Sequence, residues 1–365
     1  MRGLATVSPS IVAQTPHLSK ENDPGPPMLD RHILAALSKS PPTTALPDLI
    51  KQYTALSGTV LDVSLRYQTR ATAESRRPSL AAASKDVVTV AHCATNGENR
   101  KITFSSGFAL DAPASREGEY LILTCAHTWE SSPTLTGTFI VIGSQDTLAL
   151  HPVSEVVSAL PRSDLILLSC KLPQGALNAL DVSPYPAHKG TAVRAHFVTH
   201  REPVEPGWSS WVGDTWGKWA QGKVLGYRDF AGRETEPGTY DALSHLMFMP
   251  LPTVGSSGGP IIEEESGAVV GVMLGTRMDS RVEGVRGWGV PSEAIFEVVF
   301  ASCYCFLIIM ALLRRCLVYQ DLGVKNDFTL VTDLMSSVVI KTPSANRRIP
   351  RRSKNSSHQI AADGY

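Results

Sequence analysis

Three residue types in this chain could together cut an amide bond: a serine in a glycine-rich loop, a histidine and a carboxylate. The serine is Ser257, in Gly255–Pro260 (GSSGGP), preceded by LPTV and followed by IIEE. A serine hydroxyl is a poor nucleophile until a base takes its proton and donors meet the developing oxyanion. Glycine on both sides permits a tight turn, which would converge the N–H groups of Gly255 and Ser257 on one point beside the Ser257 hydroxyl. The competing reading is an ordinary Gly/Ser turn between strands. A phosphate loop does not fit, because no lysine follows and no helix pattern begins there.

Two histidines compete for the role of base. His92 lies in Val88–Cys93 (VTVAHC) and His127 in Leu123–Thr128 (LTCAHT). Two acids compete for the third place. Asp164 opens the apolar run DLILLSC, where a carboxylate is partly dehydrated at a cost that a hydrogen-bonded histidine offsets. Asp146, in GSQDTLAL, follows a Gly-Ser turn and reads as exposed.

The elements that must position these groups read as strands. From about residue 86 to 299, short β-type runs alternate with turn clusters: VVTVAH, KITFSSGFAL, YLILTC, GTFIVIG, DLILLSC, TAVRAHFVT, GKVLGY, GPIIEE and AVVGVML. With no convincing helix among them, the spacing predicts an all-β fold, an antiparallel sandwich or barrel. Pro291-Ser292-Glu293 then opens a helix through Val299, with Ser292 as its expected N-cap. Ahead of the strands, residues 1–85 form an N-terminal extension. Residues 1–45 are rich in Pro, Ser and Thr and read as flexible. Apolar stripes predict helices over Met28–Ser38 and Leu46–Tyr67, and the polar stretch Thr69–Lys85 reads as a linker.

GSSGGP-II resembles the nucleophile loop of the trypsin-fold serine peptidases. Ala268–Thr276 (AVVGVMLGT) and Gly287–Val299 (GWGVPSEAIFEVV) resemble the closing strands and helix of their high-temperature-requirement (Deg) branch. The resemblance covers residues 86–299 and implies two antiparallel β-barrels, a polypeptide substrate and hydrolysis through an acyl-enzyme. It also ranks the rivals. In this family the base follows a strand pair whose first strand carries Ser-Gly-Phe. Ser106-Gly107-Phe108 precedes His127, and the order His127, Asp164, Ser257 fits the family's arrangement. His92 is then structural, and Cys125 is a small buried apolar residue where alanine is common.

The resemblance implies a substrate pocket built from Leu251, Thr253, Val254, Met273 and Leu274. It holds no acid to receive Lys or Arg, so a small or medium apolar residue before the cut is expected. Ser256 stands where digestive enzymes carry an aspartate that awaits a newly cut amino terminus, so no activation by N-terminal cleavage is expected. The alternative to an enzyme is a retired peptidase fold kept as a protein-binding module or a membrane-tethered scaffold.

Composition sets the outer limits. The 365 residues carry 34 basic and 34 acidic side chains, so no global attraction to nucleic acid is expected. The six cysteines form no C-x-x-C pair and suggest neither a zinc site nor a secreted disulfide framework; the chemistry requires no metal or cofactor. Four of the six tryptophans fall in Trp208–Trp219, expected to pack a long loop onto the barrel, with an exposed aromatic surface for substrate or partner as the alternative. The N-terminus lacks the long apolar core of a secretory signal. Arg2 and Lys20 with no acid before Glu21 are compatible with an organellar presequence, so an intracellular location is expected, with cytoplasm, mitochondrion and nucleus open.

Residues 300–365 form a third region, with no room for the PDZ module common in Deg relatives. The uncharged run Val298–Leu313 would span about 24 Å as a helix, short for a bilayer core of roughly 30 Å. A tail anchor ending at Arg314-Arg315, a helix packed on the barrel and an interfacial helix are the readings left open. Asn346–Lys354 (NRRIPRRSK) reads as a solvated basic tail.

Overall fold

The expected strands close into two barrels. The computed structural model describes residues 26–39, 44–57, 85–96, 99–112, 118–129, 137–144, 147–238 and 243–300, with scattered positions between 61 and 78. In the first barrel β1 (Val88–Asn96), β2 (Asn99–Leu110), β3 (Glu119–Cys125), β4 (Gly137–Gly143), β5 (Leu148–Leu160) and β6 (Leu165–Lys171) follow the order β1-β4-β5-β6-β3-β2, and β2 pairs back to β1. The second comprises β7 (Ala192–Thr199), β8 (Trp216–Arg228), β9 (His245–Met249), β10 (Pro260–Glu263), β11 (Val269–Ser280) and β12 (Gly284–Pro291). Its order is β8-β9-β12-β11-β10-β7, closed by β7 on β8. All of these pairings are antiparallel.

Strand periodicity explains why Leu165–Leu168 (LILL) is an unbroken apolar run. Successive side chains leave opposite faces. On β6, Leu165 and Leu167 enter a cluster shared with the second barrel and two helices, whereas Ile166, Leu168 and Cys170 enter one centred on the first barrel. Both faces are covered, and the one polar residue buried on the strand, Ser169, donates its hydroxyl to Glu119 at 3.1 Å. The second barrel has its own cluster around Phe197, Tyr227, Leu246, Phe248 and Met273.

Three helices lie outside the barrels: α1 (Met28–Lys39), α2 (Leu46–Ala55) and α3 (Ser292–Val298). Leu29 and Ile33 of α1 and Leu49 of α2 are fully buried against barrel residues, each burial stabilising by roughly 1.5–3 kcal/mol. The start of α1 is capped from the second barrel: Asp214 accepts from the N–H groups of Met28 at 2.9 Å and Leu29 at 3.1 Å. Gly213 lets this approach occur, since a Cβ there would lie 3.3 Å from Cβ of Leu29.

Two helix boundaries differ from expectation. The helix expected over Leu46–Tyr67 stops at Ala55, and Leu61–Asp62 pair instead in parallel with Val299–Phe300. The sequence after Ala55, with Gly58, Thr59 and Val60, is poor helix former. Ser292 does not cap α3. It is the first helical residue, its hydroxyl is buried without a partner, and Pro291 occupies the cap position. Among the described residues no helix is long and apolar enough to cross a membrane. The apolar run beyond Phe300 and the basic tail lie outside them.

Candidate active site

Strand β3 delivers the histidine. It ends at Cys125 and passes into a turn closed by Trp129 N–H donating to the Ala126 carbonyl at 2.9 Å, with His127 inside that turn. Asp164 approaches from the connection between β5 and β6. It is the one non-glycine residue with positive φ among the described residues, at 56°, a conformation Asp tolerates better than most side chains. Two bonds hold it there. Ala126 N–H donates both to the Asp164 carbonyl at 3.0 Å and to Oδ1 at 3.1 Å. That leaves Oδ2 to accept a very short hydrogen bond from Nδ1 of His127.

This bond orients the imidazole and stabilises its protonated form. It lifts the His127 pKa well above the ordinary 6.5, with the contact to Cys125 adding to the effect and burial opposing it. Nε2, the nitrogen that would accept a proton, lies 3.9 Å from Sγ of Cys125. Cys125 is fully buried, as expected, but its thiol also touches the imidazole rather than only filling space.

The loop that carries Ser257 comes from the second barrel and locks onto the first. Thr253 carbonyl accepts from Ser256 N–H at 3.2 Å, and φ is 91° at Gly255 but not positive at Val254. That combination is a type II turn, which places glycine at its third position. Ser256 is fully buried. Its hydroxyl accepts from Val198 N–H at 2.9 Å and pairs with Thr253 Oγ1 at 2.8 Å, which itself donates to the Val198 carbonyl at 2.6 Å. Ser106, from the Ser-Gly-Phe stretch of β2, clasps the loop twice: its N–H donates to the Ser257 carbonyl at 2.7 Å and its hydroxyl to the Gly255 carbonyl at 3.0 Å.

Gly258 has the closest seat. Its φ is 84°, and a Cβ there would lie 2.2 Å from the Ser106 carbonyl oxygen, 2.5 Å from Thr124 Oγ1 and 2.8 Å from Cys125 N. The residue after Ser257 therefore rests on the chain two residues before His127, in the crevice between the barrels. The Ser257 hydroxyl donates to the Leu274 carbonyl at 2.9 Å. Leu274 falls at a register shift between Met273 and Gly275, which turns its carbonyl away from the β11–β12 ladder.

The family model for the trypsin-like peptidase domain matches residues 105–272, an interval that contains His127, Asp164 and Ser257. This interval is similar to a trypsin-like peptidase domain. Solved structures similar in fold include the MamO protease domain from Magnetospirillum magneticum, at 17% identity over 57% of this chain and 93% of that one, with a TM-score of 0.36. Deg5 is similar at 16% identity over 60% and 90%, with a TM-score of 0.39. The active form of the Rv3671c protease from M. tuberculosis is similar at 21% identity over 63% and 86%, with a TM-score of 0.38. No curated protein matches the sequence.

The rival residues have other surroundings. His92 is fully buried on β1, with Nδ1 paired to Thr138 Oγ1 at 3.1 Å, and burial lowers its pKa to about 3. It is a neutral core residue. Asp146 lies outside the described residues.

The five expected pocket residues are not equivalent. Val254 is 90% exposed and Leu251 41%, both beside the nucleophile loop; Met273 is wholly inside the second barrel. Leu274 is partly buried, and Thr253 spends its hydroxyl on the loop clasp. Trp211 and Trp219 are buried around His196, with ring centroids 4.7 and 5.2 Å from it, so this half of the tryptophan cluster packs the barrel. Cys93, Cys125 and Cys170 are buried and not joined in a disulfide; the other three cysteines lie outside the described residues.

Three contacts at the site have no sequence pattern of their own: the clasp by Ser106, the seat of Gly258 on Thr124 and the acceptor role of the Leu274 carbonyl all arise from how separate strands and loops approach one another.

Proposed function

We propose that the chain is a serine endopeptidase acting through His127, Asp164 and Ser257. The observation that carries this reading is the seat of Gly258 beside Cys125 N, because it brings the serine loop to the histidine turn that Asp164 already holds. A χ1 rotation takes the Ser257 hydroxyl from the Leu274 carbonyl to Nε2 of His127. His127 accepts its proton as Oγ attacks the scissile carbonyl, and Asp164 stabilises the imidazolium. The oxyanion is met by the N–H groups of Gly255 and Ser257. Collapse expels the amine, which takes its proton from His127, and leaves an acyl-enzyme. Water activated by the same imidazole releases the acid and restores Ser257.

An apolar residue of small or medium size before the cut is the specificity that accompanies this reading, since no acid lies in Leu251–Val254. A peptide-library cleavage profile favouring Arg or Glu there would contradict it. The catalytic assignment itself is tested with a fluorophosphonate probe. Wild type is expected to label and Ser257→Ala to stay unlabelled. Absence of Ser257-dependent labelling would leave a binding module in which the Ser257–Leu274 bond persists.

A further inference from the structure

We propose that the N-terminal segment 44–57 positions the catalytic histidine turn, through contact of Tyr53 with Trp129. The inference rests on the peptidase reading above. The turn Ala126–Trp129 is held at its start by Asp164 and in its middle by Thr103 Oγ1, which donates to the Thr128 carbonyl at 3.2 Å. At its far end the Trp129 N–H closes the turn on the Ala126 carbonyl, and the Trp129 side chain itself is held by packing alone. The Trp129 ring sits between two others: His92, 5.7 Å away edge-on at 77°, and Tyr53, 5.8 Å away and tilted by 57°. One wall of this slot, His92, belongs to the barrel and is fixed by burial and by Thr138. The other is supplied from outside the barrel.

That outer wall is anchored along β5. Thr44 Oγ1 donates to the Ser154 carbonyl at 2.7 Å, Gln52 Oε1 accepts from Val156 N–H at 2.9 Å, and Ser57 forms a parallel bridge with Ala159. Leu46 and Leu49 are buried beneath the helix. These contacts fix the height of Tyr53 against Trp129. The phenol also lies in the field of Asp164: burial, and then that charge, raise its pKa. The segment thus packs on the turn that carries His127 and lies in the field of Asp164, without contributing a reacting atom. Tyr53 is a positioning residue. Without its ring, Trp129 loses one wall and the turn that carries His127 is no longer clamped at its exit.

The test compares wild type with Tyr53→Ala, Tyr53→Leu, Tyr53→Phe and the control Lys51→Ala, which alters the exposed face of the same helix. The readouts are the Ser257-dependent fluorophosphonate labelling rate and the pH titration of the His127 ring by NMR. Tyr53→Ala is expected to slow labelling about tenfold or more, since misplacement of a catalytic group by about 1 Å can cost on the order of a hundredfold. It is also expected to lower the His127 titration midpoint by about half a pH unit as the bond to Asp164 loosens. Tyr53→Phe restores most of the rate, and Lys51→Ala leaves both readouts unchanged.

Tyr53→Leu fills the space without an aromatic edge and serves if the alanine variant does not fold; it is expected to fall on the alanine side. A folded Tyr53→Ala or Tyr53→Leu protein with labelling within twofold of wild type and an unmoved His127 titration overturns the proposal. If wild type itself shows no Ser257-dependent labelling, the peptidase reading fails. The His127 titration then decides the positioning role by itself: a midpoint lowered by loss of the Tyr53 ring supports it, and an unmoved one overturns it.

Discussion

Sγ of Cys125 lies 3.9 Å from Nε2 of His127, the ring nitrogen not held by Asp164. The Ser257 hydroxyl meanwhile donates to the Leu274 carbonyl at 2.9 Å. In the proposed mechanism base and nucleophile are each occupied, so both contacts must be exchanged before a proton can pass between them. A thiol is a weak donor and a weak acceptor, so the exchange at His127 is correspondingly easy. Cys125→Ala removes the competitor and is expected to raise the Ser257 labelling rate roughly two- to fivefold, the effect of about 0.5–1 kcal/mol. An unchanged or lower rate in a folded variant would show that the thiol does not compete for Nε2.

The pH dependence follows from the pair His127–Asp164. The hydrogen bond to Asp164, and then that to Cys125, raise the His127 pKa above 6.5. Only the neutral ring can take the serine proton, so the labelling rate is expected to climb with pH through a midpoint above 6.5. Asp164→Asn removes the anion. Its midpoint falls towards the ordinary value, and its plateau drops by roughly 10³–10⁴-fold. Stability carries the opposite sign. The protonated pair stabilises the fold fully below 6.5, and that contribution fades as pH rises through the raised folded value. The difference in Tm between wild type and Asp164→Asn should therefore be larger at pH 6 than in the alkaline range, and a difference that grows with pH would refute the assignment.

Much of this was legible in the chain because two-residue periodicity and glycine chemistry are local. The strand Gly137–Gly143 was readable to the residue, and DLILLSC fell one residue from β6. Strand β5 was not, because Pro152 interrupts it and His151, Ser154 and Glu155 dilute its alternation; it is also bulged against β6. Strand β9 is too short to stand out beside a loop. His127, Asp164 and Ser257 could be ranked over their rivals only with the family arrangement, and the structure now shows why His92 resembles a base without being one. Its context is a strand interior, where Thr138 and burial keep it neutral. The fit of Ser106 to the nucleophile loop, and of Tyr53 to Trp129, joins segments far apart in the chain. No local pattern announces such contacts.

Gly258 tests how tightly the barrels must fit. With φ at 84° and a Cβ that would sit 2.2 Å from the Ser106 carbonyl oxygen, alanine forces either the loop or β2 to move. The obstacle is backbone, so no flexible side chain can give way. Gly258→Ala is expected to destabilise by about 1–3 kcal/mol and to reduce Ser257 labelling on the order of a hundredfold, because the displaced loop carries the serine with it. Melting curves and labelling rates of the same preparation separate the two effects. Wild-type labelling in this variant would mean that the contact between the barrels does not place Ser257.

Ser256 holds the oxyanion turn with a neutral hydroxyl where a carboxylate would need a cation. It is fully buried and takes the Val198 N–H. Ser256→Ala leaves that donor unsatisfied and is expected to cost about 1–3 kcal/mol, or roughly 2–4 °C in Tm for each kcal/mol. Ser256→Asp should cost more at neutral pH, because it buries a charge with no cation bonded at the site. Burial raises such a carboxyl's pKa, so the folded state binds its proton more tightly than the unfolded chain does. The Ser256→Asp protein should therefore recover stability, relative to wild type, as pH falls from 8 towards 5, and trimming its N-terminus should not restore labelling. A Ser256→Asp variant as stable as wild type at pH 8, or one switched on by a new amino terminus, would mean that the loop can receive an ammonium partner after all.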